Sequence, residues 1–420
     1  MSQTTPSSPT SGDVASGSLA GDVAVDPATG RRAGRAQALV LLVSSCLSVL
    51  GAVLLAPVLP RIADAFAGTP GVQALVPILL TAPALVIGLT ATFAGRVVDR
   101  FGRKRLLVAS LVVYAVVGTA PLWLSSLPLI VASRALVGLT EAAIMTCCTT
   151  LLADYFHGRE RERYFGLQVV FTTVSATVFF AVGGALGNTT WRAPFWLYAV
   201  SLPLALLAAR YVWQPEGLPQ DRSAVLVSLP WRSLRRPVVV TLLGGLLFYV
   251  LIVELSFKLD QLGVEATATI GAVSAVASLG TATGAFLFGR VAARGPGVVV
   301  PVAFGVSGLG LLGLGLAGSV PLVVATAVVT GFGNGLLLPS LLSWALGSLS
   351  LQQRGRATGV WTSALFIGQF VCPLVVLALG GALDGLDSAL LVLGGVGVAV
   401  AVLVRSVATQ ASPGVAPAVG

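Results

Sequence analysis

From residue 37 to about residue 406 the chain is a succession of apolar runs, recurring about every 32 residues and joined by short polar stretches. A bilayer core of ~30 Å takes about 20 apolar residues per helix, and the runs have that length. They are continuous rather than alternating, so they read as helices and not as barrel strands. Composition agrees. Charged residues make up 10% of the chain and hydrophobic residues 56%, whereas soluble globular chains carry roughly 25% charge. A chain with so little charge cannot cover its own surface in water, which excludes a soluble enzyme, a disordered protein and a secreted disulfide scaffold.

The runs place spans at about 38–60, 74–95, 106–124, 128–153, 166–187, 193–213, 237–258, 267–289, 298–317, 321–346, 358–380 and 387–405. The expected fold is therefore all-α and integral to the membrane, with twelve transmembrane helices. Residues 1–36 read as a disordered tail, without the apolar core and cleavage site of a signal peptide. A first six-helix bundle follows over 37–213, then a linker over 214–236, a second bundle over 237–406 and a tail over 407–420.

Orientation follows from the basic residues, which collect on the cytoplasmic side of multi-pass proteins. With the N-terminus inside, all 25 Lys and Arg fall in cytoplasmic segments except Arg61, Arg192 and Lys258 outside and Arg134 within span 4. Both termini are thus expected to be cytoplasmic. The formal charge of +9 is explained by membrane orientation, and nucleic acid is not an expected partner. The bias toward Arg, Ala, Gly and Val reads as a GC-rich bacterial genome, hence a bacterial cytoplasmic membrane. Cys46, Cys147, Cys148 and Cys372 lie inside apolar runs with no metal or redox spacing, and His157 is the single histidine. Zinc sites, Ser-His-Asp chemistry and other enzymatic constellations are therefore not expected. There is also no GxxxxGK[ST] loop, so any work done across the membrane would be driven by an ion gradient or by the substrate itself rather than by ATP. The string Gly331-Phe332-Gly333-Asn334-Gly335 is mid-span and follows no strand, so it is not a nucleotide loop.

Two weak repeats relate the halves. Gly95-Arg96-Val97-Val98-Asp99-Arg100 after span 2 echoes Gly289-Arg290-Val291-Ala292-Ala293-Arg294 after span 8. Arg163-Tyr164-Phe165-Gly166 before span 5 echoes Arg356-Ala357-Thr358-Gly359 before span 11. The offsets are nearly equal, at 194 and 193 residues, as a duplicated six-helix unit would leave. Such repeats belong to secondary transporters that rock one half against the other.

The stretch Gly95-Arg96-Val97-Val98-Asp99-Arg100-Phe101-Gly102-Arg103-Lys104-Arg105 resembles the loop 2–3 signature of the major facilitator superfamily at every position, and Arg134-Ala135-Leu136-Val137-Gly138 is similar to that superfamily's span 4 motif. The resemblance implies two six-helix bundles around a central cavity. It also implies a gating latch in which Asp99 and Arg103, with Gly95, Arg100 and Gly102 of the same signature, meet Asp154 at the end of span 4 and hold the outward-facing state. Ala293 stands where Asp99 would repeat, so the acidic part of the latch is expected in the first half alone. Drug/proton antiporters of the superfamily usually carry a Gly-Pro pair four residues before a Gly-Gly pair in span 5. Here Phe179-Phe180 precedes Gly183-Gly184 at that spacing.

Among residues that could carry mechanism, Gly95 and Gly102 would let helix backbones approach closely. Arg134 and Glu141 are seven residues apart and share one face of span 4. Ionisable groups inside a bilayer need a polar cavity or a partner, so both are expected to point into the central cavity. There Glu141 would accept and release a proton with Arg134 tuning it; the alternative is a fixed ion pair. Glu254, near the outer end of span 7, is either a further coupling carboxylate at the cavity mouth or a group reaching headgroup water, with Lys258 as its i+4 partner. Gln168, Asn334 and Gln369 are read as cavity groups or helix–helix hydrogen bonds. Phe179, Phe180, Phe248 and Tyr249 are read as an apolar cavity wall or as packing. The expected function is proton-coupled export of a small lipophilic or cationic compound by a monomer, with protons, cargo and lipid as partners and no cofactor. A largely apolar cavity suits this better than sugar uptake. The rival readings are uptake or exchange of a metabolite, with Arg134 binding an anion or the carrier taking a sugar, and a non-transporting sensor or scaffold.

Overall fold

The computed structural model describes residues 30, 32–215, 228–347 and 349–410. Most of the N-terminal tail, the middle of the linker and the C-terminal tail lie outside the described residues. Among the described residues, twelve helical spans are long and apolar enough to cross a membrane: spans 1 to 12 are Arg35–Ala65, Val72–Thr90, Arg103–Leu122, Leu127–Tyr155, Gly158–Gly187, Ala193–Tyr211, Trp231–Gln261, Thr267–Arg294, Pro296–Gly315, Val320–Leu346, Gln353–Ala382 and Leu386–Arg405. Several run past the apolar windows read from the sequence. Span 5 begins eight residues earlier, because its Arg- and Glu-rich first turns are good helix formers that project beyond the apolar slab. Span 1 is interrupted: its helix ends at Val53, a 3₁₀ turn covers Ala56–Val58, and helix resumes at Leu59–Ala65. Pro57 and Pro60, which lack the amide hydrogen needed to continue the helical ladder, account for the break.

The packing has an internal two-fold pattern. In the first half span 4 packs on spans 1, 2 and 3, span 1 on span 5, and span 3 on span 6. Each of these pairs recurs six spans later: span 10 on spans 7, 8 and 9, span 7 on span 11, and span 9 on span 12. The halves join through spans 2 and 11 and through spans 5 and 8, two contacts that are images of each other. Large side chains such as Leu206, Phe286, Leu316 and Val402 face outward and are exposed in the chain alone, as lipid-facing positions must be.

Lipid tails are as apolar as leucine, so helices in a bilayer associate through close packing and hydrogen bonds rather than by hydrophobic burial. Glycines supply the closeness. Gly184 of span 5 lies against Gly271 and the Thr267 carbonyl of span 8, with a Cβ at Gly184 falling 2.8 Å from the Gly271 Cα. Thr267 Oγ1 donates to the Gly184 carbonyl at 2.8 Å, and the Thr267 and Asn188 side chains meet at 3.0 Å. Farther along the same interface the hydroxyls of Thr177 and Ser278 lie 2.9 Å apart. Gly183, one position on from span 8's contact, receives the Leu54 carbonyl at the break in span 1.

Overpacking a tight helix contact costs about 1–3 kcal/mol. Gly271→Val is therefore expected to lower the thermal unfolding midpoint in detergent. Gly289→Ala, at a position with nothing within 4 Å of an added Cβ, should leave it unchanged.

Candidate functional site

Between the halves lies a cavity of about 280 Å³. Its wall comes from span 1 (Ser48, Val49, Ala52, Val53), span 5 (Ala176, Phe180), span 7 (Phe248, Tyr249, Leu251, Ile252, Leu255), span 8 (Ser274, Ala277, Ser278, Thr281), span 10 (Asn334, Leu338) and span 11 (Leu365, Phe366, Gln369). No charged side chain is among them. The polar groups are few, and some are already engaged. The Asn334 amide donates to the Phe248 carbonyl at 3.2 Å and its oxygen accepts from Ser307 Oγ at 2.8 Å.

Phe180, Phe248, Tyr249, Asn334 and Gln369, read from the sequence as cavity or packing residues, all line this cavity. Two companions do not. Phe179 lies one position, about 100°, round span 5 from Phe180 and packs half-buried against the core instead. Gln168 is spent on helix–helix bonds, donating to Ser45 Oγ at 2.8 Å and to Thr149 Oγ1 at 3.3 Å. The phenylalanine pair thus splits between wall and packing.

The expectation that Arg134 and Glu141 point into the cavity is overturned. Both are buried inside the first half, at 1% and 2% exposure, and neither lines the cavity. Nor do they form an ion pair among the described residues. Arg134 Nη2 instead donates to the carbonyls of Val117 and Gly118, each at 3.2 Å, where span 3 is ending. Its guanidinium also lies over the Tyr198 ring at 4.7 Å and the Phe195 ring at 5.4 Å. The unsatisfied carbonyls at a helix C-terminus carry partial negative charge, and aromatic faces attract cations, so the arginine is held without a carboxylate. The Tyr114 and Tyr198 rings lie 5.1 Å apart. Tyr114 Oη donates to the Leu47 carbonyl at 2.9 Å and lies 3.4 Å from Glu141 Oε1. Two tyrosine rings therefore stand between the guanidinium and the carboxylate.

Glu141 reaches its other neighbour at a glycine. A Cβ on Gly51 of span 1 would overlap the Glu141 carboxylate. Gly51 sits between Val49 and Ala52, both on the cavity wall. The carboxylate is consequently one helix thickness behind the cavity, against the back of a helix whose front is the wall. Gly51, Tyr114 and Tyr198 were missed from sequence; a tyrosine hydroxyl in mid-span, needing a partner, was the available signal.

The pairing of Glu254 with Lys258 is also overturned. Lys258 turns to span 12, where Nζ lies 2.6 Å from Asp387 Oδ1. Glu254 neither lines the cavity nor reaches the surface: it is buried at 5% exposure and makes no ion pair among the described residues. The two other basic residues on that membrane face are likewise occupied. Arg61 donates to the Gly187 and Asn188 carbonyls at 2.9 and 3.1 Å, and Arg192 to the carbonyls of Pro121 and Leu124. Each caps a helix end, so each of these exceptions to the charge asymmetry is met locally, by carbonyl dipoles for the two arginines and by a carboxylate for Lys258.

The connection between spans 2 and 3 is a helix, Ala94–Phe101, and not an open loop. Gly102 ends it with φ +81°, a conformation that favours glycine. No neighbour lies within 4 Å of a Cβ on Gly95, so close helix approach is not its role in this conformation. Arg103 pairs with Asp154, joining the start of span 3 to the end of span 4. Arg100 is exposed. The side chain of Asp99 lies outside the described residues.

With this geometry in hand, comparison with known proteins is informative. The family profile described as Major Facilitator Superfamily matches residues 41–267 and 249–419. The tetracycline resistance protein, class C, of Escherichia coli is 30% identical over 223 residues, 52% of this chain and 55% of that protein, so the chain spans about half the length of that relative. The 3-(3-hydroxy-phenyl)propionate transporter of Escherichia coli (strain K12) is 26% identical over 327 residues, covering 71% of this chain and 77% of the relative. Among solved structures, a bacterial homolog of the human lysosomal transporter Spinster, in an inward-facing and unoccupied conformation, superposes with a TM-score of 0.71 at 16% identity, covering 90% of this chain and 98% of that one.

The Lys258 assignment is testable by stability. Removing one partner of a buried ion pair costs about 3–5 kcal/mol, an upper bound here because the Asp387 side chain is half-exposed. Asp387→Asn should therefore destabilise the protein clearly more than Glu254→Gln in detergent thermal unfolding, and Lys258→Met should recover most of the loss in the Asp387→Asn background.

Proposed function

The chain belongs to the Major Facilitator Superfamily, and we propose that it works as a proton-coupled exporter of small lipophilic molecules by alternating access. The observation that carries this reading is the cavity between the halves: uncharged, apolar and provided with only a few hydrogen-bonding groups. Burying apolar surface is worth about 25 cal/mol per Å², so such a wall retains molecules that partition out of water. It offers no counter-charge to an organic anion, since Arg134 is committed to the end of span 3. A sugar would find too few hydrogen-bond partners. The resistance protein among the relatives supports export as the direction.

In this reading both termini are cytoplasmic and the halves rock about the contacts of spans 2 with 11 and 5 with 8. Cargo enters against Phe180, Phe248 and Tyr249, with Gln369 selecting for one polar group. Glu141 is the proton acceptor. Its coupling to cargo runs through span 1, whose front face lines the cavity at Val49 and Ala52 and whose back meets Glu141 at Gly51. Any shift of span 1 as cargo binds alters the seat of the carboxylate. Glu141 gives its proton to the inner side as cargo binds there and takes one from the outer side as cargo leaves, the two being carried in opposite directions. Arg134 positions spans 3, 4 and 6 around this seat. Arg103 and Asp154, with Asp99 of the same signature, serve as the latch.

Everted vesicles made acidic inside, with a pH-sensitive dye, provide the test. Neutral lipophilic compounds should trigger proton release from the wild type, and Glu141→Gln should reduce it at least about tenfold while cargo binding persists. Phe180→Ala should raise the half-saturating concentration by about 5–150-fold, the value of a lost apolar pocket contact of ~1–3 kcal/mol. Silence toward every lipophilic compound with a response to organic acids or sugars would replace this reading with a metabolite carrier. Asp99→Asn transporting at the wild-type rate would remove the latch.

A further inference from the structure

Away from the central cavity a groove of about 450 Å³ opens on the outer surface of the second half. It is formed where span 7 begins, span 10 ends and span 12 ends, so all its walls belong to one face of the membrane, the face at which span 1 begins. Val239 and Val240 of span 7 and Leu403 and Val404 of span 12 make its apolar sides, and Trp344 of span 10 contributes an indole. Arg235 and Arg236 stand at the end of the groove where span 7 leaves the bilayer.

These features point in one direction. Arg235 and Arg236 are both exposed, and neither makes an ion pair or hydrogen bond among the described residues. That distinguishes them from Arg61, Arg192 and Lys258, each of which is occupied by a helix end or an aspartate. Two unneutralised guanidiniums side by side favour a ligand with a phosphate, because the planar fork of arginine matches phosphate oxygens. Directly toward the bilayer the wall turns wholly aliphatic, with Val239 at 60% and Leu403 at 63% exposure in the chain alone. Tryptophan is the side chain that prefers the headgroup level, apolar in body with one polar N–H. A ligand satisfying all three zones carries a negative phosphate at one end and a hydrocarbon chain at the other, in the orientation the membrane itself imposes. Basic pockets between transmembrane helices meet this requirement for anionic lipids.

We infer that the groove between spans 7, 10 and 12 is a binding site for an anionic glycerophospholipid, its phosphate on Arg235 and Arg236 and one acyl chain along Val239, Val240 and Leu403. The site is separate from the cargo cavity and shares no lining residue with it. It joins the ends of three helices of one half, so an occupied groove ties spans 7, 10 and 12 together as a unit. The inference does not rest on the direction of transport or on proton coupling.

The test uses the full chain, purified in detergent and depleted of lipid. It is then offered an equimolar mixture of an anionic phosphatidylglycerol and a zwitterionic phosphatidylcholine with matched acyl chains, and bound lipid is read by native mass spectrometry. Wild type should retain the anionic lipid preferentially and show a higher thermal midpoint with it than with the zwitterionic one. At about 1 kcal/mol per arginine near a lipid surface, the Arg235→Gln/Arg236→Gln pair should weaken that preference by about thirtyfold. Val239→Trp keeps both arginines and fills the exposed groove, so it should also lose the bound lipid while eluting as a folded protein. Inorganic phosphate at millimolar concentration should neither raise the midpoint nor displace the lipid. Three outcomes would overturn the site: equal retention of both lipids by the wild type, an equal loss in an Arg159→Gln/Arg161→Gln control at the start of span 5, or a midpoint that follows protein concentration rather than lipid, as a second copy seated in the groove would give.

Discussion

Spans 5 and 8 meet backbone to backbone at Gly184 and Gly271, and the working geometry of the molecule depends on that contact. In hydrocarbon there is no water to drive apolar helices together, so two halves adhere only where their backbones come close enough for dispersion and for bonds such as Thr267 to the Gly184 carbonyl. Closeness at this crossing sets the separation of the halves and hence the size of the cavity between them. Gly183 and Gly187 extend it to span 1, accepting the Leu54 carbonyl and the Val58 side chain. The irregular segment of span 1 is thus wedged against the same run of span 5 that faces span 8.

Arg134 and Glu141, buried in the first half, are held by separate devices, whereas Lys258 in the second half is held by an ion pair with Asp387. Arginines are given the carbonyls of a helix end and, for Arg134, aromatic faces as well. Carboxylates are given hydroxyls or a small residue that leaves room, as Tyr114 and Gly51 do for Glu141. Keeping Arg134 and Glu141 apart has a consequence for the carboxylate. An intimate ion pair inside hydrocarbon would bind its own proton equilibrium too firmly to respond to a distant event. A carboxylate resting on a hydroxyl and a helix back can change charge with its surroundings.

The twelve spans and the relation between halves were legible because both are written in local composition: length of apolar run, spacing of repeats, side of the basic residues. The cavity wall was legible in part for the same reason. Phe180, Asn334 and Gln369 are unusual enough in a span to call for a reason. What a linear reading missed is set by helix rotation and by which neighbour arrives. A helical period tells that Arg134 and Glu141 share a face, but not that spans 1, 3 and 6 occupy that face in place of the cavity. Lys258 has Glu254 four residues before it in sequence, yet Asp387, 129 residues away, reaches it first. The interval between Phe179 and Phe180 is one residue, and it separates a wall from a packing contact. The connecting helix Ala94–Phe101 was hidden by its low apolar content, since the reading looked for spans.

The two halves share a plan but have drifted into different occupations. The polar amides of the cavity, Asn334 and Gln369, come from spans 10 and 11, as do most of its apolar positions together with spans 7 and 8. Arg134, Glu141 and their tyrosines belong wholly to spans 3, 4 and 6. Duplication followed by such a division leaves one copy free to vary. Substitutions in spans 7, 8, 10 and 11 can reshape the cavity while the buried Arg134, Glu141 and tyrosines of the other copy stay under their own packing constraint. A lineage descended from this chain could therefore alter the shape and polarity of its cavity by many small steps, without disturbing the charged interior of its other half.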